Sequence, residues 1–280
     1  MTIDILTIFP EMFESVLGAS ILGRAREKGL LTIEATDIRP FSTMKHKNTD
    51  DYPFGGGAGM LMTPQPIADA IKAVCARRGS PCVNLTAERD ETSASEEEAV
   101  RPAKRIYLSP RGVPFTQQLA QQLAREEHLI LLCGHYEGVD QRVLDKYIDL
   151  EISVGDYVLT GGEVAAMAVT DAVCRMVPGV LADPECFENE SHFNGLLEYP
   201  QYSRPAVWHG RAVPEILLSG NHEKVRQWRR KQALRRTRAR RPDMYEQLDL
   251  SSKQDKKLLK EMEAEDREQA GNSENMGAGE

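Results

Sequence analysis

Apolar residues along this chain fall in short runs separated by longer amphipathic stretches, and the two kinds of segment alternate. Ile3 to Phe9, interrupted only by Asp4 and Thr7, reads as a buried strand closed by Pro10. A short helix to about Gly18 and a second strand near Leu31 to Arg39 follow. A helix from Pro66 to about Arg77 begins on a proline, which the first turn tolerates because the N–H there has no intrahelical partner. Further strands are expected at Cys82 to Leu85, Arg105 to Ser109, Leu129 to Cys133 and Ile148 to Val154, with a helix opened by Thr116. Glu163 to Val177 reads as a helix on which Val164, Met167, Ala168, Asp171, Ala172 and Arg175 share a face. Strands alternating with helices predict an α/β fold around a mostly parallel sheet.

The pattern lapses twice. Asn84 to Lys104, rich in Glu, Ala, Ser and Thr, has no apolar period and reads as a mobile surface insertion, acidic over about 86–104. Pro178 ends the preceding helix, and Gly179 to Pro200 is irregular and acidic, as an interdomain linker or an ordering loop would be. Beyond it Asn221 suits the N-cap of a helix to about Arg240, stopped by Pro242 and anchored by Trp228 and Leu234. Ser252 to about Gln269 has the pattern of one more amphipathic helix, and the last ten residues read as disordered. The expected organisation is a first domain over 1–177, a linker over 178–200, a small helical domain over 201–250 and a charged tail over 251–280.

A chain of 280 residues with 41% hydrophobic content is long enough for one large or two modest cores. The opening Met1-Thr2-Ile3-Asp4-Ile5-Leu6 has no basic leader, and no stretch approaches the roughly 18 apolar residues of a membrane span, so a cytoplasmic protein is expected. The five cysteines, Cys75, Cys82, Cys133, Cys174 and Cys186, are odd in number and never spaced Cys-x-x-Cys. They read as reduced core residues with no structural zinc.

A net charge of −8 argues against nucleic acid only if it is spread evenly. It is not. Lys224, Arg226, Arg229, Arg230, Lys231, Arg235, Arg236, Arg238, Arg240 and Arg241 lie in one stretch without an acid, while acids gather at Glu88 to Glu98 and after Glu261. The ordinary reading of a charge run is a solvated helix face; one so dense and one-signed favours a phosphate-binding surface.

Three glycine-rich stretches carry the candidate chemistry: Gly55 to Met60, Gly134 to Gly138 and Gly155 to Glu163. Glycines at strand ends let backbone approach a ligand that a Cβ would exclude. None is followed by Gly-Lys-Ser/Thr, and Gly57-Ala58-Gly59-Met60-Leu61-Met62 lacks the third glycine of a dinucleotide fingerprint, so a different small molecule is implied. His135 lies beside one stretch, but with no second His or Cys at ligand spacing it reads as structural or as an RNA contact rather than a metal ligand.

Asp4 to Pro10, Pro53 to Met62, Tyr107-Leu108-Ser109-Pro110, Cys133 to Gly138, Gly155 to Glu163 and Leu217 to His222 resemble, in order, motifs of the bacterial tRNA (guanine-N1)-methyltransferases, a knotted SPOUT class, over about residues 1 to 250. The resemblance implies an enzyme that transfers methyl from S-adenosylmethionine to N1 of the guanine immediately 3′ of the tRNA anticodon, position 37. It also implies a deep trefoil knot, a small all-α C-terminal domain and a homodimer with shared active sites. The cofactor would be held by three loops, through Tyr107, Leu108, Ser109 and Pro110, then Gly134, Tyr136 and Glu137, then Val154, Gly155, Tyr157, Leu159, Gly161 and Gly162. Leu108, Val154 and Leu159 would sandwich the purine.

N1 of guanine is protonated and amide-like, so a general base is required, and a guanidinium at O6 would stabilise the charge that develops there. Arg175 matches the family's arginine for the second role. Glu190 stands where the family usually carries its catalytic aspartate, a departure that moves the carboxylate by about an ångström. Either the loop from Pro184 to Asn194 adjusts, or another acid such as Glu188 takes the proton. Ala165, where the family commonly has proline, is a milder departure. Lys224, Arg226, Arg229, Arg230, Arg235 and Arg236 would hold phosphates of the anticodon stem-loop. A possible Mg2+ requirement is not legible in the chain. The competing readings are an RNA-binding protein that kept the scaffold with altered catalysis, a methyltransferase for another RNA base, and a DNA-binding module built on Lys224 to Arg241.

Overall fold

A computed structural model describes residues 1–82, 102–181 and 190–277, with side chains through 268. The strand expected at Cys82 to Leu85 beyond its first residue, the acidic insertion up to residue 101, Cys186 and Glu188 lie outside the described residues. The chain forms two compact units, Met1–Asp183 and Pro184–Glu280.

In the first unit, β1 (Thr2–Thr7) leads through α1 (Glu14–Leu17) and α2 (Ser20–Glu27) to β2 (Thr32–Asp37). A short antiparallel pair, β3 (Asp50–Asp51) and β4 (Leu61–Met62), precedes α3 (Pro64–Arg78). Then come β5 (Lys104–Pro114), α4 (Gln117–Leu123), β6 (His128–Cys133), α5 (Gln141–Tyr147), β7 (Leu150–Ser153) and α6 (Glu163–Cys174). Five strands make one sheet in the order β2-β1-β6-β5-β7, every pairing parallel.

The central strand explains why the sheet is buried on both faces. All six residues of β6 are buried, and they alternate between two cores. Leu129, Leu131 and Cys133 join Ile3, Ile5, Ala166 and Val169 on one face, while Ile130 and Leu132 join Ile67, Ile71 and Val143 on the other. Local signals set the helix starts. Thr116 Oγ1 accepts the Leu119 N–H at 3.2 Å to cap α4, and Asp140 Oδ1 accepts the Arg142 N–H at 2.9 Å to cap α5.

The carboxylate of Asp4 is fully buried at the start of β1, with His128 Nε2 at 2.8 Å, Arg77 Nη2 at 2.9 Å and two Arg78 contacts at 3.0 Å. Burial alone would raise its pKa; the hydrogen bonds and charges of His128 and Arg78 outweigh that and hold it below the usual carboxylate range.

The second unit differs from the all-α domain expected. Val207–Trp208 (β8) and Arg211–Ala212 (β9) form an antiparallel hairpin whose two-residue loop, His209-Gly210, has φ of 48° and 75°. Positive φ at both loop residues is what a type I′ turn demands. The helices are α7 (Glu215–Leu218), α8 (His222–Arg240), α9 (Pro242–Tyr245) and α10 (Lys253–Gly277). Asn221 caps α8, its Oδ1 accepting the Lys224 N–H at 3.0 Å. The amphipathic helix expected from Ser252 to about Gln269 is α10, which runs on to Gly277, into the last ten residues read as disordered. Its Leu258 and Met262 are buried against Ala233, Leu234 and Leu196.

Candidate active site

In a parallel sheet all carboxyl ends point the same way, and the crevice outside them is where ligands bind in open α/β folds. Here the ends of β5, β6 and β7 and the loops that leave them wall a cavity of about 350 Å³.

The first wall arises from an irregular register. Leu108 and Val113 both pair with Ile152, so Ser109 to Gly112 leave the ladder between them and turn over the cavity. A Cβ on Gly112 would stand 2.4 Å from the Ile152 nitrogen, which no side chain permits.

The second wall follows β6. A Cβ on Gly134 would stand 2.8 Å from Cε2 and the hydroxyl of Tyr107, so glycine here lets the buried phenol ring pack against the loop. Burial pushes the Tyr107 phenol up. Tyr136 holds φ at 58°, left-handed backbone in a non-glycine residue that lines the cavity.

The third wall, Val154 to Gly162, is clamped to the second: the Gly162 N–H donates to Gly134 O at 2.8 Å, and His135 bridges Gly161. At the mouth of α6 the buried Glu163 accepts a hydrogen bond from Thr7 Oγ1 at 2.8 Å. Burial, with the Glu163 charge adding to it, pushes the Cys133 thiol well above its ordinary range. That thiol stays protonated, as the reduced core reading expects.

The hairpin of β3 and β4 braces the site from outside. Glu137 N donates to Met60 O at 3.0 Å and Met62 N to Gly138 O at 2.9 Å, tying the Gly55 to Met60 stretch to the second wall. That stretch itself does not line the cavity, and Phe54 at its head is 99% exposed.

The thirteen residues expected to hold a cofactor, from Tyr107 to Gly162, all line this one cavity. Arg111, His135 and Thr160, which lie within the three expected loops Tyr107 to Gly112, Gly134 to Glu137 and Val154 to Gly162 without being singled out as contacts, line it too. Ala165 lies in the wall at the first turn of α6, small and buried. His135 Nδ1 is buried with no hydrogen-bond partner, so this wall holds a polar atom that the protein leaves unsatisfied. No group of three potential metal ligands occurs among the described residues.

The two residues expected to act on the base lie elsewhere. Arg175 is the C-cap of α6, twelve residues past Glu163 and so about 18 Å further along the helix, and it does not line the cavity. Glu190 belongs to the second unit, where it lines a separate cavity of about 340 Å³ with Leu196, Tyr199, His222, Arg226 and Arg229. Of the expected RNA contacts, Arg226, Arg229 and Arg230 line that cavity and Lys224 is exposed beside it. Arg236 donates to Glu198 O at 3.2 Å, and Arg235 is paired with Glu265.

A doubly covered parallel sheet whose carboxyl-end loops enclose a glycine-walled cavity is the architecture of an α/β enzyme with a small-molecule site, and the chain adds a second unit with a basic helix. Residues 1–247 match the family described as tRNA (Guanine-1)-methyltransferase TrmD, and the chain belongs to that family. It is 54% identical over 260 residues to a tRNA (guanine-N(1)-)-methyltransferase of Clostridium perfringens, covering 93% of this chain and 99% of that one. Proteins of the same description from Ruminiclostridium cellulolyticum and Alkaliphilus oremlandii are 51% and 49% identical, covering 89% and 90% of this chain and 97% and 95% of theirs. No helix among the described residues is long and apolar enough to cross a membrane.

Proposed function

We propose that this chain transfers the methyl group of S-adenosylmethionine to N1 of the guanine immediately 3′ of the tRNA anticodon, position 37. Family membership makes the reaction guanine-N1 methylation of tRNA. The observation that carries the site assignment is the convergence of Tyr107 to Pro110, Gly134 to Glu137 and Val154 to Gly162 on one cavity.

The residues present fit the cofactor. Its volume suits a nucleoside-sized ligand, glycines stand where a Cβ would meet a neighbour, and the unpartnered His135 Nδ1 offers a polar contact. Leu108, Val154 and Leu159 supply apolar surface for the purine, and backbone groups of the Gly134 and Gly155 loops supply hydrogen bonds to its edge. When bound, the cofactor supplies an electrophilic methyl group on a sulfonium.

The chain's own part is to make N1 a nucleophile. Glu190 accepts the N1 proton, and the Arg175 guanidinium offsets the negative charge that this leaves on O6, an interaction stronger in the transition state than before it. Arginines of α8 bind phosphates and position the RNA, while the base itself is read by the residues that meet its edge.

The acting form is a homodimer with shared active sites, in the cytoplasm. Support comes from α6, whose cavity end and Arg175 end are too far apart to serve one reacting atom within a chain. Support also comes from exposed apolar side chains on the same unit, Val164 on α6 with Met12, Val16 and Ile21. The first unit is a trefoil knot, supported by the path after the edge strand β7, which returns past the Gly134 loop so that α6 joins the core over β6 and β1.

The test is transfer of labelled methyl from S-adenosylmethionine to a tRNA transcript with guanine 3′ of the anticodon, beside one with adenine there. Incorporation into the guanine transcript alone is expected. Absence of transfer with tRNA binding intact would instead identify a catalytically altered RNA-binding protein.

A further inference from the structure

The cations of α8 divide into two sets, and α10 makes the division. On one side Arg230 Nε meets Asp255 at 3.0 Å, Lys231 Nζ meets Glu265 at 2.7 Å and Glu261 at 3.8 Å, Arg235 meets Glu265 at 2.5 Å and Asp266 at 3.7 Å, and Arg238 meets Asp266 at 2.6 Å. The pairing advances in the same direction along both helices and flanks a buried seam of Ala233, Leu234, Leu258 and Met262. Asp255 is buried, which would raise its pKa, yet hydrogen bonds from Arg230 and Ser252 bring it below the usual range, as ionised partners in a formed bridge should be. Lys253–Gly277 lies wholly past residue 247, where the family match ends.

The other side of α8 has a different chemistry. His222, Arg226 and Arg229 line the cavity of about 340 Å³ with Leu197 and Tyr199, and Arg230 and Ala233 stand at the border, lining the cavity while Arg230 pairs with Asp255 of α10 and Ala233 packs in the seam. Arg226 is 74% exposed and forms one ion pair, with Glu223 a turn earlier on the same helix, and the Arg229 guanidinium lies 4.9 Å over the Tyr199 ring. Arg229 forms no ion pair with an acid among the described residues. A guanidinium stacked on an aromatic ring keeps its N–H edges free for phosphate, and apolar and aromatic walls suit an unstacked base. Glu190 and Glu198 line the same groove and repel phosphate, so they favour the donor edges of bases there.

We infer that a single-stranded stretch of the RNA substrate lies in this groove, its phosphates on Arg226 and Arg229, while α10 withdraws Arg230, Lys231, Arg235 and Arg238 from the RNA. The inference rests on the tRNA methyltransferase reading given above. It replaces Arg230 and Arg235 among the phosphate contacts expected from sequence, because a cation already bonded to two carboxylate oxygens gains little from a third anion.

The experiment measures tRNA affinity against salt for the full chain and two double variants. Arg226→Ala with Arg229→Ala is expected to lower affinity at least tenfold and to flatten the plot of log affinity against log salt by about 1.4, at roughly 0.7 per single-strand phosphate contact. Arg235→Gln with Arg238→Gln is expected to leave that slope unchanged. If the second pair loses its fold by circular dichroism, Arg238→Gln alone carries the comparison, since its side chain is 42% exposed. A slope that falls with the α10-facing variants, or that stays put when Arg226 and Arg229 are removed, overturns the inference. An unaltered chain that methylates tRNA while giving that result sinks the groove alone; one that neither binds nor methylates tRNA sinks the underlying reading with it.

Discussion

At the scale of single residues, the buried acid and the wall glycines carry the sharpest consequences. Replacing Asp4 by Asn leaves Arg77, Arg78 and His128 around a neutral group, and is expected to cost about 3 kcal/mol of stability at neutral pH by urea unfolding. Because the folded pKa of Asp4 is depressed, its contribution is present above the unfolded carboxylate value of about 3.9 and is lost as pH falls through the folded value. The variant should therefore lack that part of the acid limb. Gly134→Ala would drive a methyl group into the Tyr107 ring, 2.8 Å away, and displace a wall of the cavity. S-adenosylmethionine affinity by calorimetry is expected to fall tenfold, about 1.4 kcal/mol, or more. Glycines at strand ends were legible as close-approach sites, whereas the partner that each approaches was not: nothing local to Gly134 points to Tyr107, a neighbour through the β5–β6 pairing.

Among the elements, α10 was legible as a helix, but its packing against α8 was not. Leu258→Ala is expected to destabilise the second unit by about 3 kcal/mol, read as lost amide protection across α10, because it opens a cavity in a core of few residues. The strands and the capped helices α4 and α8 were legible because runs such as Leu129 to Cys133 and caps such as Thr116 and Asn221 act within a few residues. Short α2 was not. Gly18 and Gly23 look like breakers, yet a Cβ on Gly23 would stand 2.2 Å from Gly18 O, so that glycine serves tight packing. The ion pairs of α10 were not legible because the partners lie 25 to 34 residues apart, as in Arg230 with Asp255 and Lys231 with Glu265. Separation along the chain hides an ion pair that proximity in the fold creates.

For the whole molecule, the distance along α6 between the cofactor cavity and Arg175 bears on the proposed assembly. A cofactor-site variant such as Gly134→Val and a base variant Glu190→Gln, each inactive alone, are expected to recover roughly one quarter of the activity when unfolded together and refolded. Half of such dimers pair unlike subunits, and each of these retains one intact site. No recovery would mean that all the reacting groups come from one chain. The ladder between α8 and α10 bears on the energetics of any polyanion that reaches this surface. Affinity for RNA draws on the entropy of small ions set loose when phosphates replace them. Arg230, Lys231, Arg235 and Arg238 already have tethered carboxylates as their counter-ions, and a tethered ion gains almost no freedom when displaced. Arg229, stacked on Tyr199 and without an acid partner among the described residues, is where that entropy remains to be gained.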